Sequence, residues 1–169
     1  MAIIPVKGIY PQIDPSVWVA DNATITGDVE VGADSSIWFQ VVIRGDVNKI
    51  KIGSRVNVQD ASIIHGTTGQ QDTIIGNDVS IGHRAVVHGC TIHDNVLIGM
   101  GAIVLDRVVV ESNVIVGAGA VVTGGMRLES GFLYAGVPAK KIKPLEQGKV
   151  DVYIKGTAAG YVEYSKYYK

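Results

Sequence analysis

Three of the chain's four histidines, His65, His83 and His88, are spaced closely enough to be read as one ligand set. Three neutral imidazoles leave one vertex of a tetrahedral ion open, the donor set of a catalytic Zn2+ site. A structural Zn2+ site more often closes with four ligands and favours cysteine. Here Cys90 is the single cysteine, so no disulfide can form within the chain. Two polar clusters flank the histidines: Arg44-Gly45-Asp46 on one side and Gln59-Asp60 closer in. Whether these groups meet depends on the elements that carry them.

An aliphatic residue recurs at every sixth position. The series runs Val19, Ile25, Val31, Ile37, Ile43, then Ile52, Val58, Ile64, then Ile75, Ile81, Val87, then Ile92, Ile98, Val104, Val110, Val116, Val122. A period of six fits neither an α-helix nor a strand meander. It predicts a short strand plus a turn, three to a coil, with the coils stacked as an all-β solenoid. The aliphatic rows fill the prism and each coil pairs its backbone with the next. Roughly seventeen such positions give between five and six coils. A β-sandwich with fortuitous spacing is the competing reading.

The spacing breaks in three places. Residues are added between Ile43 and Ile52 and again between Ile64 and Ile75, and one is missing between Val87 and Ile92. The second break marks a loop across residues 65–73. The expected organisation is a β-helix domain over 1–140, with repeats about 17–127, and a helical tail over 141–169. The span from Leu145 to Tyr168 is predicted to be an α-helix packed on the prism. Val152, Tyr153, Ala159, Tyr161, Val162, Tyr164 and Tyr168 fall on one side of it. Gly156 and Gly160 weaken that helix by about 1 kcal/mol each, and a frayed tail is the alternative.

Counting three units per coil assigns columns. Ile43, Ile64 and Val87 share one prism face, so Arg44, His65 and His88 stand in one vertical column. Successive coils lie about 4.8 Å apart, which lets His65 and His88 share one ion. Ile37, Val58 and Ile81 share the preceding face, which puts Phe39, Asp60 and His83 in a second column. A prism face separates the two columns within a chain, but a three-fold axis beside the prism would bring one chain's His83 to its neighbour's His65 and His88. Three polar turn residues on a β-helix surface are the plainer reading. His93 falls on another face and reads as exposed. Cys90 reads as a small core filler, and Trp18, Trp38 and Phe39 as core or interface packing.

Composition narrows the function further. Fifteen basic residues against 16 acidic ones give a net charge of -1, which argues against nucleic acid as a partner. No apolar run approaches the roughly 18 residues of a membrane span, and the first residues lack a signal-peptide pattern. A cytoplasmic location is therefore expected. Hydrophobic residues at 47% and aromatics at 7%, with 21 glycines, imply an ordered core of small and β-branched side chains rather than disorder.

The stretches RGDVNKIKIGSRVNVQDASIIHG and DTIIGNDVSIGHRAVVHGCTIHDNVLIGMGA, with the later AGVPAK, resemble the γ-class carbonic anhydrase family over about residues 10 to 165. The resemblance implies a left-handed parallel β-helix, an exception to the right-handed crossover rule, and a homotrimer with metal sites between subunits. It implies His65, His83 and His88 as ligands of Zn2+, with Fe2+ or Co2+ also compatible with imidazole. It implies an interfacial Arg44–Asp60 pair, with Asp46 orienting the guanidinium. Gln59 resembles the residue that hydrogen-bonds the water on the metal, and Tyr134 stands where the family places an active-site tyrosine. The implied reaction is reversible hydration of CO2 to bicarbonate by a metal-bound hydroxide. The family's glutamate after RGD is replaced by Val47, and its acidic loop by GTTGQQD. Loss of those proton-shuttle carboxylates implies slow or buffer-dependent turnover. Two rivals stand beside this reading: an acyltransferase of the hexapeptide class, and a catalytically weak metal-binding or assembly protein.

Overall fold

The computed structural model describes residues 1–168. It is a parallel β-solenoid of about seven turns followed by one C-terminal helix of 22 residues. Each turn contributes a short strand to each of three faces. On the first face Trp18–Val19, Ser36–Ile37, Asn57–Val58, Ser80–Ile81, Val96–Ile98, Val114–Val116 and Phe132–Ala135 stack in order. On the second, Ile25, Ile43, Ile64, Val87, Val104 and Val122 form one inward column. All six side chains of that column are fully buried. The six-residue rhythm thus sets the fold physically: one inward aliphatic per strand, then a turn that resets the direction.

The coil count exceeds the one read from the sequence. Ile3 and Ile13 pair with the strand Thr24–Val31 and make a further coil at the lower end. At the other end the rhythm runs on through Leu128 to Tyr134, which stacks on Val116. The lower extension was hidden because Ile3 and Ile13 are not six apart. The upper one was hidden because its last member is aromatic. Lys140–Pro144 pairs antiparallel with Phe132–Ala135 and closes that edge of the sheet, after a cis Val137–Pro138 peptide.

Residues 147–168 form the expected helix, regular α over Gly156–Ser165 and wider-wound over Val150–Lys155. Its packed line is not the tyrosine side. Val150, Ile154 and Ala158 are buried, while Val152, Tyr153 and Tyr164 stay exposed; Tyr168, of the expected side, does pack its half-exposed ring against Trp18, Trp38 and Phe39. The wide winding at its start changes the phase of everything after it, and the smaller side chains allow a closer approach to the prism. Tyr161 nevertheless reaches the first face, edge-on to Trp38 at 5.2 Å between ring centres. Lys169, the last residue of the expected tail, lies outside the described residues.

Candidate metal centre

Arg44 and Asp46 lie on the strand Val42–Ile52, which turns a prism corner at Gly45. A side chain at Gly45 would meet Asp28 O at 2.5 Å, and one at Gly27 would meet Gly45 O at 2.2 Å. Only glycine lets these two coils stack at the corner. The bend brings Arg44 Nη1 to Asp46 Oδ2, to which it donates a hydrogen bond. Burial pushes the Asp46 carboxyl up, but hydrogen bonds from Arg44 and His65 outweigh it. Asp46 therefore titrates below its ordinary range.

His65 and His88 are aligned on neighbouring coils. Their rings meet at 66° with centres 5.2 Å apart. His65 Nε2 donates to Asp46 Oδ1 at 3.1 Å. His88 Nδ1 lies 3.1 Å from both oxygens of Asp106. A carboxylate only accepts, so each histidine carries its proton on the nitrogen that faces its acid. The two remaining nitrogens, His65 Nδ1 and His88 Nε2, face each other at 3.3 Å. That is longer than the usual 2.7–3.2 Å of a nitrogen-donated hydrogen bond. It matches the separation of about 3.3–3.4 Å between two nitrogens each about 2.0–2.1 Å from a tetrahedral ion. Two unprotonated imidazole nitrogens at this separation fit a shared divalent cation. Arg44 Nη2, which can only donate, points at the His65 Nδ1 lone pair from 3.3 Å, a contact that an ion bound there would replace.

His83 lies apart from this pair. Its Nδ1 is 2.7 Å from Asp60 Oδ2, so its Nε2 is the bare nitrogen. Both side chains are about two-fifths exposed, at 42% and 40%. Among the described residues of one chain, no three His, Cys, Asp or Glu groups gather closely enough to hold a metal. The chain therefore brings together Arg44, Asp46, His65 and His88, and separately His83, Asp60 and Gln59.

Gln59 is buried, and its Nε2 donates to Asn57 Oδ1 at 2.9 Å. Asn57 Nδ2 in turn donates to Ser80 Oγ at 2.8 Å. The amide is thereby oriented, with Oε1 as its remaining acceptor. Gln59 and His83 stand at one end of an apolar groove of about 390 Å3 that runs past Leu97, Met100 and Ile115 beneath Tyr161. A larger groove of about 590 Å3 lies at another corner, among Gln12, Glu30 and Lys51, and holds none of the candidate residues.

The structure keeps Tyr134 away from both clusters. It occupies an interior column, is buried, and its hydroxyl accepts from Glu129 N at 2.9 Å. It is a core residue closing the top of the prism. The tyrosines that line a pocket with His83 and Asp60 are Tyr161, Tyr164, Tyr167 and Tyr168; the Tyr161 phenol is pushed up by burial and by the Asp60 charge. Its place could not be read from strand periodicity because it arrives on the helix. Asp106 was also missed, although it stands one coil above Gly89, and only counting on from His88 would have found it.

Comparison with known proteins agrees with this architecture. The family described as bacterial transferase hexapeptide (six repeats) matches residues 72–102 and 89–124. The chain is 42% identical to the carbonic anhydrase of Geobacillus kaustophilus, over 99% of this chain and 91% of that one. It is also 42% identical to mitochondrial gamma carbonic anhydrase 2 of Arabidopsis thaliana over 90% of this chain, although it spans only 56% of the plant protein. The crystal structure of a hexapeptide transferase family protein from Anaplasma phagocytophilum superposes with a TM-score of 0.95 at 39% identity, covering 99% of this chain and 98% of that one.

Proposed function

The chain belongs to the γ-class carbonic anhydrase-like family of hexapeptide-repeat proteins, and from that premise we propose that it interconverts CO2 and bicarbonate at a metal ion shared between subunits of a homotrimer. The observation that carries the proposal is the pair of unprotonated nitrogens, His65 Nδ1 and His88 Nε2, 3.3 Å apart with the far nitrogen of each ring held by a carboxylate. His83 of a neighbouring subunit would complete the set, since its Nε2 is also left bare by Asp60. A row of outward apolar residues, Val42, Ile63, Val86, Ile103 and Val121, runs beside the His65/His88 column. Ile63 is 44% exposed, which suits a face covered by another copy.

His65, His88 and a neighbour's His83 would hold a divalent ion, Zn2+ or equally Fe2+ or Co2+, which when bound would supply an acidified water as nucleophile, near pKa 7 for Zn2+. The chain's own groups do the rest. Gln59, its amide fixed by Asn57, leaves Oε1 free to accept from and orient a water at the site. The apolar groove beside it gives CO2 a dry approach. Asp46 holds Arg44 through Nη1, and an ion taking His65 Nδ1 would release Nη2 to reach Asp60 of the neighbour and lock the subunits in register. Tyr161 lies over His83 and narrows the entrance. At position 47 stands valine, and the loop after His65 offers glutamines rather than glutamates. Proton release therefore depends on external buffer.

The test is metal content and CO2 hydration of the wild type beside His65→Ala and His83→Ala. Metal and activity in the wild type and neither in the variants support the reading; hydration at background rate with metal bound refutes it. A second reading, acyl transfer, is favoured by the 390 Å3 groove, which is far larger than CO2. Retention of coenzyme A by the purified protein would support it.

A further inference from the structure

We propose that Asp106 is a positioning residue for His88, and that the extra-length loop 66–72 is the strap that braces it. The inference rests on the reading of His88 as a metal ligand. The family resemblance gives Asp106 no role. Asp106 comes from the coil above His88 and sets both carboxylate oxygens 3.1 Å from His88 Nδ1. That bond leaves Nε2 as the bare nitrogen and fixes the ring plane, the two properties an imidazole ligand needs.

Space for the carboxylate is built into the chain. Directly below it lies Gly89, at φ +51, where an added Cβ would fall 2.1 Å from Asp106 Oδ1. Any other residue at 89 would expel the acid from its place over His88. The missing residue between Val87 and Ile92 falls in this turn, so the break in the rhythm coincides with the cradle.

The loop reaches the same carboxylate from the other side. Thr67 Oγ1 donates to Asp106 Oδ2 at 3.3 Å, across 39 residues of sequence. The strap is fastened at both edges of the cradle: Gln71 Nε2 donates to Gly89 O at 2.9 Å and Arg107 Nη1 to Gln70 Oε1 at 2.9 Å. The residues that disturb the hexapeptide spacing thus do one identifiable job.

The experiment uses the full-length protein with Zn2+ and a competing chromogenic chelator, together with 15N spectra of the imidazoles in metal-free protein. Asp106→Ala is expected to weaken Zn2+ binding about 10–100-fold, and Gly89→Ala to do the same. Thr67→Val is expected to weaken it by a smaller factor. His88 is expected to carry its proton on Nδ1 in the wild type and to lose that preference in Asp106→Ala, while His65 keeps its own. Asp106→Asn, which keeps the shape and an accepting oxygen, should fall between wild type and alanine; it serves if the alanine variant fails to fold. Unchanged Zn2+ affinity and an unchanged His88 tautomer in the Asp106 variants would overturn the inference and leave the shared metal site standing. A wild type that binds no Zn2+, with His88 still protonated on Nδ1 only when Asp106 is present, would instead overturn the metal reading.

Discussion

The coils on either side of Ile92 share one interior and differ in their turns. From Ile92 to Tyr134 the inward residue arrives every sixth position without a break, and the turns are short and repetitive. Between Ile43 and Ile92 the same inward column is interrupted three times. Ile64 and Ile98 are equally and fully buried, so the interruptions cost the core nothing visible. His65 and His88 lie in two of the interrupted stretches, while His83 sits in the unbroken unit between Ile81 and Val87. The regular half shows what the rhythm makes, which is a rigid rod. The irregular half shows how chemistry is hung on it: each departure from six re-aims a polar group while the aliphatic rows stay in register.

The largest test of that contrast is whether the two halves share one core. Ile64→Ala and Ile98→Ala should each cost about 2–5 kcal/mol, measured by chemical denaturation. A much smaller cost at Ile64 would mean that the irregular coils are loosely packed. Next comes Cys90, which sits in the turn where a residue is missing yet is fully buried. Burial pushes its thiol up to about 12. The unfolded thiol ionises near pH 8.5, so this group leaves stability unchanged below that value and erodes it as pH rises towards 12. A thiol reagent at pH 8 should label it only after unfolding; rapid labelling of the native protein would show that turn to be open. Tyr134→Phe should cost about 1 kcal/mol through the lost Glu129 bond and leave CO2 hydration intact, whereas loss of hydration would return Tyr134 to the site. The smallest effect belongs to the bidentate Arg55–Asp78 pair at 2.7 Å. It is solvent-exposed, so Arg55→Ala should cost less than about 1 kcal/mol by thermal unfolding.

Much of the rod was legible because an inward aliphatic every six residues admits few other folds. The two end coils were not, since Ile3 and Ile13 are ten apart and Tyr134 looks like a site residue until the count is carried to it. The stacking of His65 on His88 followed from the same count. What counting could not supply was the role of the far nitrogens. Asp106 looks like any turn aspartate until Gly89 is seen beneath it, and Tyr161 reaches His83 from a helix whose winding changes phase midway. Of the side expected to pack, Tyr161 and Tyr168 do meet prism aromatics, but Val152 and Tyr153 do not, because a uniform 3.6-residue turn does not describe Val150–Lys155.

The most direct test mixes two defective proteins. His83→Ala and His88→Ala chains are each purified, shown to exchange subunits, combined, and assayed for bound Zn2+. The account predicts that each variant alone binds almost none and that the mixture regains metal, because some interfaces then pair an intact His65/His88 column with an intact His83. Full metal content in either variant alone, or no recovery after verified exchange, would contradict a site assembled from two chains.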